Sequence, residues 1–399
     1  MTMIGATGGG TVLGCSSHAK QAFGFDCETS GNSIQFKGVE WQMLCCEGKL
    51  CNGVDAQSNI LTLRRVRAAA CHASKGGGAF AVVSGGPAST VNSISIADST
   101  ILECWAPLGG GAVLALAMLS GVIGPVKLID SRMSNCSATP RSGMPADNAF
   151  GYGGALALVA LDGDVGHVHM SGLDISYGKA SGAAGAVMVF SDGRIASLKM
   201  QGLRVANCNG SSAGGLVIKG PISGDVVLQD LTVLDCHATR TGFWDDDWAD
   251  EAIGQASVYD VFPLTGGLHV GVSQADRFLL RDSVVARCSA WAANGWGGGI
   301  TLTMDSARNV GARGSYILNG VLVESCGATV AGGVMSYLPF LQNTVYVENS
   351  AFRSNSGLYG GGLGVWFAWH PCVLGPNVSI SRNVAMGAGA GACMRVSFA

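Results

Sequence analysis

The chain has 399 residues, of which 61 are glycine and only 13% are charged, against roughly 25% in an ordinary soluble protein. A net charge of −3 gives no long-range attraction to nucleic acid or to an anionic membrane, so neither is expected as a partner. The longest apolar stretch, residues 109–128, is interrupted by glycines and falls short of the ~20 apolar residues that a spanning helix needs, which argues against a direct membrane span.

The opening residues, "MTMIGATGGG", lack the basic and apolar regions of a signal peptide. "GGGTVLG", residues 8–14, reads as the second half of a structural repeat whose first half is missing, so residues 1–33 are expected to hold a partial coil and an irregular segment. Cys15, Cys27, Cys45, Cys46 and Cys51 cluster here at irregular spacings that match no zinc module. Disulfides are expected among them, which would place the protein outside the cytosol.

From residue 34 to residue 399 a single repeating domain is expected. Taking Cys104 as position zero puts Ile101 at −3, Asp98 at −6, Ile96 at −8 and Ile94 at −10. Cys136 repeats the pattern with Met133, Asp130, Leu128 and Val126. Cys236 does so with Val233, Asp230, Leu228 and Val226, and Cys288 with Val285, Asp282, Leu280 and Phe278. Cys71, Cys208, Cys326 and Asn355 also fit, and Gly178 stands at zero once. Each copy continues to a glycine pair and a short apolar run, as in Gly154-Ala155-Leu156 and Gly299-Ile300-Thr301-Leu302. Weaker copies flank these nine: Ile34, Phe36, Gly38, Trp41 and Leu44 before them, and Val378, Ile380, Ala385 and Ala388 after them. Neither end resembles the polar cap that keeps a solenoid soluble.

The columns have distinct chemistry. Apolar residues at −10 and −8 alternate as in a strand with one buried face. Position −6 is mostly Asp, Asn or Gly, the types that tolerate left-handed backbone in a tight bend. A second short strand runs from −3 to zero, and a third follows the glycine corner. A period of ~30 residues with three short strands and no helical spacing predicts an all-β fold, a parallel β-helix. Right-handed crossovers are expected, and about eleven coils at ~4.8 Å each would make a rod on the order of 50 Å long. The position-zero cysteines and Asn355 are expected as rungs of an interior ladder of small buried side chains. Inter-coil disulfides along it are geometrically conceivable.

Three coils lengthen the turn between position zero and the glycine corner, giving insertions at 137–152, 237–265 and 289–296. The last two belong to neighbouring coils. Together they bring Trp244, Asp245, Asp246, Asp247, Trp248, Asp250, Glu251, Trp291 and Trp296 to one edge of the rod, where Trp105 also falls. Insertions on one face of a repeat protein commonly carry binding. Aromatic faces beside carboxylates suit sugar rings, and the oxygens of 245–251 could hold Ca²⁺. No other cofactor is expected. The plainer alternative is a loop that folds over the coil edge with its carboxylates in water.

The pairing of Phe352-Arg353-Ser354-Asn355 with Gly360-Gly361-Gly362, and "GGALAL" at 153–158, resembles the FxxN and GGA[IL] repeats of the chlamydial polymorphic outer-membrane proteins, adhesins of autotransporter type. The resemblance implies a right-handed β-helix of the pectin-lyase-like superfamily acting at a cell surface in adhesion. Position zero departs from it, being mostly Cys rather than Asn, and the membrane barrel of that family has no counterpart here.

Pectate lyases and polygalacturonases share this architecture, so a polysaccharide lyase or glycoside hydrolase is the alternative function. It would require two or more positioned carboxylates, or a basic residue beside bound calcium. The column Asp98, Asp130, Asp230 and Asp282 is better explained by turn geometry, and His167 and His169 alternate on one strand without a third ligand. The expected role is therefore non-catalytic: an extracellular or cell-surface segment that is structural or adhesive, part of a larger protein or assembly, with other protein chains or surface glycans as partners. A subunit of an extracellular filament is a third possibility.

Overall fold

The computed structural model describes residues 33–36, 39–43, 54–57, 60–73, 76–85, 89–107, 109–139, 151–239, 264–291, 295–303, 315–337, 344–366, 372–387, 389 and 391–395. These residues form an all-β, right-handed parallel β-helix. Ten coils stack along it, with position zero at Cys71, Cys104, Cys136, Gly178, Cys208, Cys236, Cys288, Cys326, Asn355 and Asn383.

Four parallel sheets run the length of the stack. The first contains the −10 to −7 strands, such as Ser93–Ala97, Val126–Ile129 and Thr344–Glu348. The second contains the three-residue strands that end at −2, such as Thr100–Leu102 and Arg132–Ser134. A further sheet joins the three expected from the sequence. Its strands are only two residues long, at +1 and +2, such as Trp105–Ala106 and Ser137–Ala138. The last sheet holds the runs after the glycine corner, such as Leu156–Leu161 and Leu216–Pro221. The apolar stretch at 109–128 becomes buried strand Val113–Met118 and the turn into Val126–Ile129. Among the described residues no helix is long and apolar enough to cross a membrane.

Registration is strict. Ile94, Val126 and Val168 are successive partners in the first sheet, and Ile101, Met133 and Ile175 in the second. Each column thus becomes a stack of like side chains, and one continuous core runs from Leu61 to Val365. The chain bends at two positions in every coil. Position −6 has positive φ in all ten, from Arg65 and Asp98 to Asn349 and Asn377. Position −1 does too, through Ala70, Glu103, Asn135, Tyr177, Asn207, Asp235, Arg287, Ser325, Ser354 and Arg382.

Position zero is small because of what it faces. A Cβ on Gly267 would lie 3.4 Å from Cys288 Sγ, and one on Gly299 3.4 Å from Cys326 Sγ. The glycine corner of one coil therefore packs on the thiol of the next. Each thiol also lies 3.2–3.5 Å from the carbonyl two residues before it. Asn355 adds hydrogen bonds between coils. Its Nδ2 donates to the Val323 carbonyl (3.0 Å), and its Oδ1 accepts from the Cys326 amide (2.9 Å). Both partners are buried, so Asn355→Ala should destabilise by about 3 kcal/mol. Asn355→Cys, which restores the commoner residue of the column, should cost about half as much. Urea midpoints of the two variants check this, and equal losses would count against the column's role.

The N-terminal end differs from the sequence expectation. The weak copy at Ile34, Phe36, Gly38, Trp41 and Leu44 is not a coil. Ser33–Phe36 and Val39–Met43 pair antiparallel, and Val39–Met43 then pairs antiparallel with Phe80–Gly85. Val54–Gln57 likewise runs antiparallel to Ile60–Arg64. Two sheets therefore end in reversed strands, which terminate the parallel stack as a cap does. Lys37-Gly38 between two alternating runs is hairpin spacing, a signal that the coil template overrode. The C-terminal weak copy is a full coil, with Cys372–Leu374, Ser379–Ser381, Val384–Ala385 and Ala392–Arg395 each ending a sheet.

Candidate functional site

The edge singled out by the insertions lies between the two-residue strands and the glycine corner. Trp244, Asp245, Asp246, Asp247, Trp248, Asp250 and Glu251 lie outside the described residues, as do Cys15, Cys27, Cys45, Cys46 and Cys51. Trp291 and Trp296 are described, and they behave differently.

Trp291 follows the strand Ser289–Ala290 and is 53% exposed. The Nε1–Cε2–Cζ2 edge of its indole meets Gly327 on the next coil, where a Cβ would come within 2.4 Å of Cζ2 and 2.8 Å of Cε2. Position +1 carries an outward side chain on most coils, including Trp105, Ser137, Lys179 and His237. At Gly327 it is absent, and the ring fills the space. The indole is thus braced on the coil along that edge, with about half of the residue in solvent.

Trp296 sits in the short strand Gly295–Gly297 and is half-buried. It packs against Val330, Ala331 and Met335 and meets Tyr337 edge-on, with centroids 5.0 Å apart and planes at 78°. That T-shaped contact adds rigidity to the corner. Two coils on from Trp296, Tyr359 is 41% exposed, and its amide donates to the Val330 carbonyl (3.0 Å). Tyr359 occupies the same turn as Trp291, so carrying the column two coils further would have found it. Tyr337 and Gly327 give no such signal, because their roles depend on the neighbouring coil. Trp105 lies on the same edge five coils before Trp291 and Trp296, with its Nε1 donating to Thr139 Oγ1 (3.2 Å) and its ring edge-on to His72.

Several charged groups on the outer faces pair with one another. Asp174 lies between Arg132 (3.8 Å) and Arg204 (3.0 Å), and Arg287 makes a two-point contact with Asp235 (2.7 and 2.8 Å). The hydrogen bond from Arg287 holds the Asp235 carboxyl below its ordinary range. His167 bonds Ser197 Oγ (2.7 Å), and His169, between Lys127 and Lys199, has its pKa lowered by burial and by those two charges. An open groove of about 470 Å³ runs along the −6 bend, lined by Asp98, Asp130, Arg132, Gly172 and Asp174. Asp98 and Asp130 occupy the left-handed position that sets the turn, whereas Asp174 opens the strand Asp174–Ser176. Among the described residues no three His, Cys, Asp or Glu side chains converge on a point where a metal ion could sit.

No protein-family model, no curated protein and no solved structure matches the chain. The fold therefore rests on its own geometry, and its use on the chemistry of this edge.

Proposed function

We propose that the chain is a non-catalytic β-helix segment of an extracellular or cell-surface protein, and that it binds surface glycans at the edge formed by Trp291, Trp296, Tyr337 and Tyr359. The observation that carries this reading is Trp291, a large aromatic ring braced along one edge by Gly327 and half in solvent. A sugar ring stacks on such a surface without ordering the side chain further, because the coil already fixes the indole. The pairing of outer-face carboxylates with arginine supports a binding role over acid–base catalysis. The adhesive role implied by the FxxN and GGA[IL] resemblance points the same way.

Co-sedimentation with insoluble polysaccharides (cellulose, chitin, xylan and pectin gels) tests the reading. Trp291→Ala should weaken binding to the retained polysaccharide at least tenfold, which is about 1.4 kcal/mol, while leaving the urea midpoint near that of the wild type. Trp296→Ala should instead lower the midpoint, because it removes a packed ring. Retention of none of the four polysaccharides, or equal retention of wild type and Trp291→Ala, would sink the proposal.

A further inference from the structure

The interior thiols have a chemistry that the binding edge does not use. Cys71, Cys104, Cys136, Cys208, Cys236, Cys288 and Cys326 are reduced and at most 1% exposed. They lie on one column of a registered stack, so thiols on successive coils have Cα atoms about 4.8 Å apart, within the 4.4–6.8 Å span that a disulfide bridges. The neighbouring thiols Cys136 and Cys71 lower the pKa of Cys104, and Cys208 and Cys288 lower that of Cys236. Cys104 and then burial raise Cys136, as Cys236 and then burial raise Cys208.

The column is interrupted once. At Gly178 a Cβ would strike the Gly185 carbonyl at 2.3 Å, so no thiol fits there. Cys136 and Cys208 are two coils apart, about 9.6 Å, which is beyond disulfide reach. Asn355 ends the second stretch. The seven thiols therefore divide into a run of three and a run of four.

We propose that the position-zero column is a site of disulfide formation between successive coils, with a small-molecule disulfide of the glutathione type as oxidant. One thiolate attacks the oxidant, forming a mixed disulfide and releasing one small thiol. The thiolate on the next coil attacks that mixed disulfide and releases the second. Two cysteines lose two electrons and two protons, and one small disulfide becomes two thiols. Because the folded interior is sealed, exchange occurs while the coils are assembling. Closing the largest number of bonds the column allows then fixes the products. The run of three closes one bond, which always includes Cys104, and leaves one thiol. The run of four closes Cys208–Cys236 and Cys288–Cys326.

The test is to refold the full chain in a reduced/oxidised glutathione buffer, quench in acid, alkylate with iodoacetamide in denaturant and map the cross-linked tryptic peptides. Expected are Cys208–Cys236, Cys288–Cys326, and Cys104 joined to either Cys71 or Cys136. Cys104→Ala should abolish the bond of the first run and leave those of the second. All seven thiols alkylated, a Cys136–Cys208 peptide, or a Cys71–Cys136 peptide in the variant would each overturn the proposal. Should Cys104→Ala fail to fold, the wild-type map alone decides.

Discussion

Gly154→Ala is expected to destabilise the protein by about 3 kcal/mol or more, although it adds a single methyl group. The added Cβ would lie 2.0 Å from the Gly185 carbonyl oxygen and 2.5 Å and 2.7 Å from the amide and carbonyl of Lys179. All three atoms are backbone, so no side chain can swing aside. Relief requires spreading the coils, which breaks the Gly154 amide to Ala184 carbonyl bond (2.9 Å) and its neighbours. The arrangement recurs along the stack. Cβ atoms on Gly78, Gly111, Gly185, Gly214, Gly266 and Gly298 would each meet the matching glycine carbonyl of the next coil at 2.0–2.4 Å. Gly202 provides the contrast. Its φ is +62° but the nearest atom to a Cβ is 3.7 Å away, so Gly202→Ala should cost only the left-handed conformation, about 1 kcal/mol. Urea midpoints of the two variants separate close approach from conformational strain. A Gly154→Ala protein as stable as Gly202→Ala would show that the corners are looser than described.

The fold was legible because every coil solves the same problem with the same residue types. Alternating apolar residues at −10 and −8 and a small residue at zero stand in the sequence as columns, and the core is those columns stacked. The −6 bend was legible for the same reason, since Asp98, Asp130, Gly172 and Asn349 are types that tolerate positive φ. The −1 bend was not. Ala70, Glu103, Tyr177 and Arg287 adopt the same left-handed backbone, imposed by closing the coil rather than by preference. The N-terminal hairpin was missed because two alternating runs satisfy a coil template and a hairpin equally well until their direction is known. At the edge, Trp291 was found as an insertion that broke a repeated spacing. The residue that orients it, Gly327, lies 36 positions later and acts only through stacking, so no local pattern could show it.

Acidification should destabilise the protein through His269, by about 1.4 kcal/mol per pH unit below pH 6.5. His269 points outward from the strand Leu268–Ser273, between Val217 and Thr301 on the adjacent coils, yet it is only 1% exposed. Burial first, and then the charge of Lys219, push its pKa down from 6.5 to about 3. Thr303 Oγ1 lies 2.9 Å from Nε2 and 3.5 Å from the Val270 carbonyl. The hydroxyl can therefore donate to that carbonyl while accepting from a neutral imidazole. Between pH 6.5 and about 3 the unfolded chain binds a proton that the folded chain refuses. Stability contributed by the neutral ring is thus complete above pH 6.5, falls as pH falls, and is exhausted below about pH 3. Asp235, whose pKa is lowered, acts in the same direction but only below its unfolded value of 3.8, so it adds little above pH 4. The window from pH 6.5 to pH 4 therefore isolates His269 from this carboxylate, with an expected loss of about 3 kcal/mol relative to His269→Gln. The comparison is made on urea midpoints across that window, with each protein referenced to its own value at pH 7.5. Any constant cost of the substitution cancels, and parallel curves would mean that the imidazole is hydrated in the folded state.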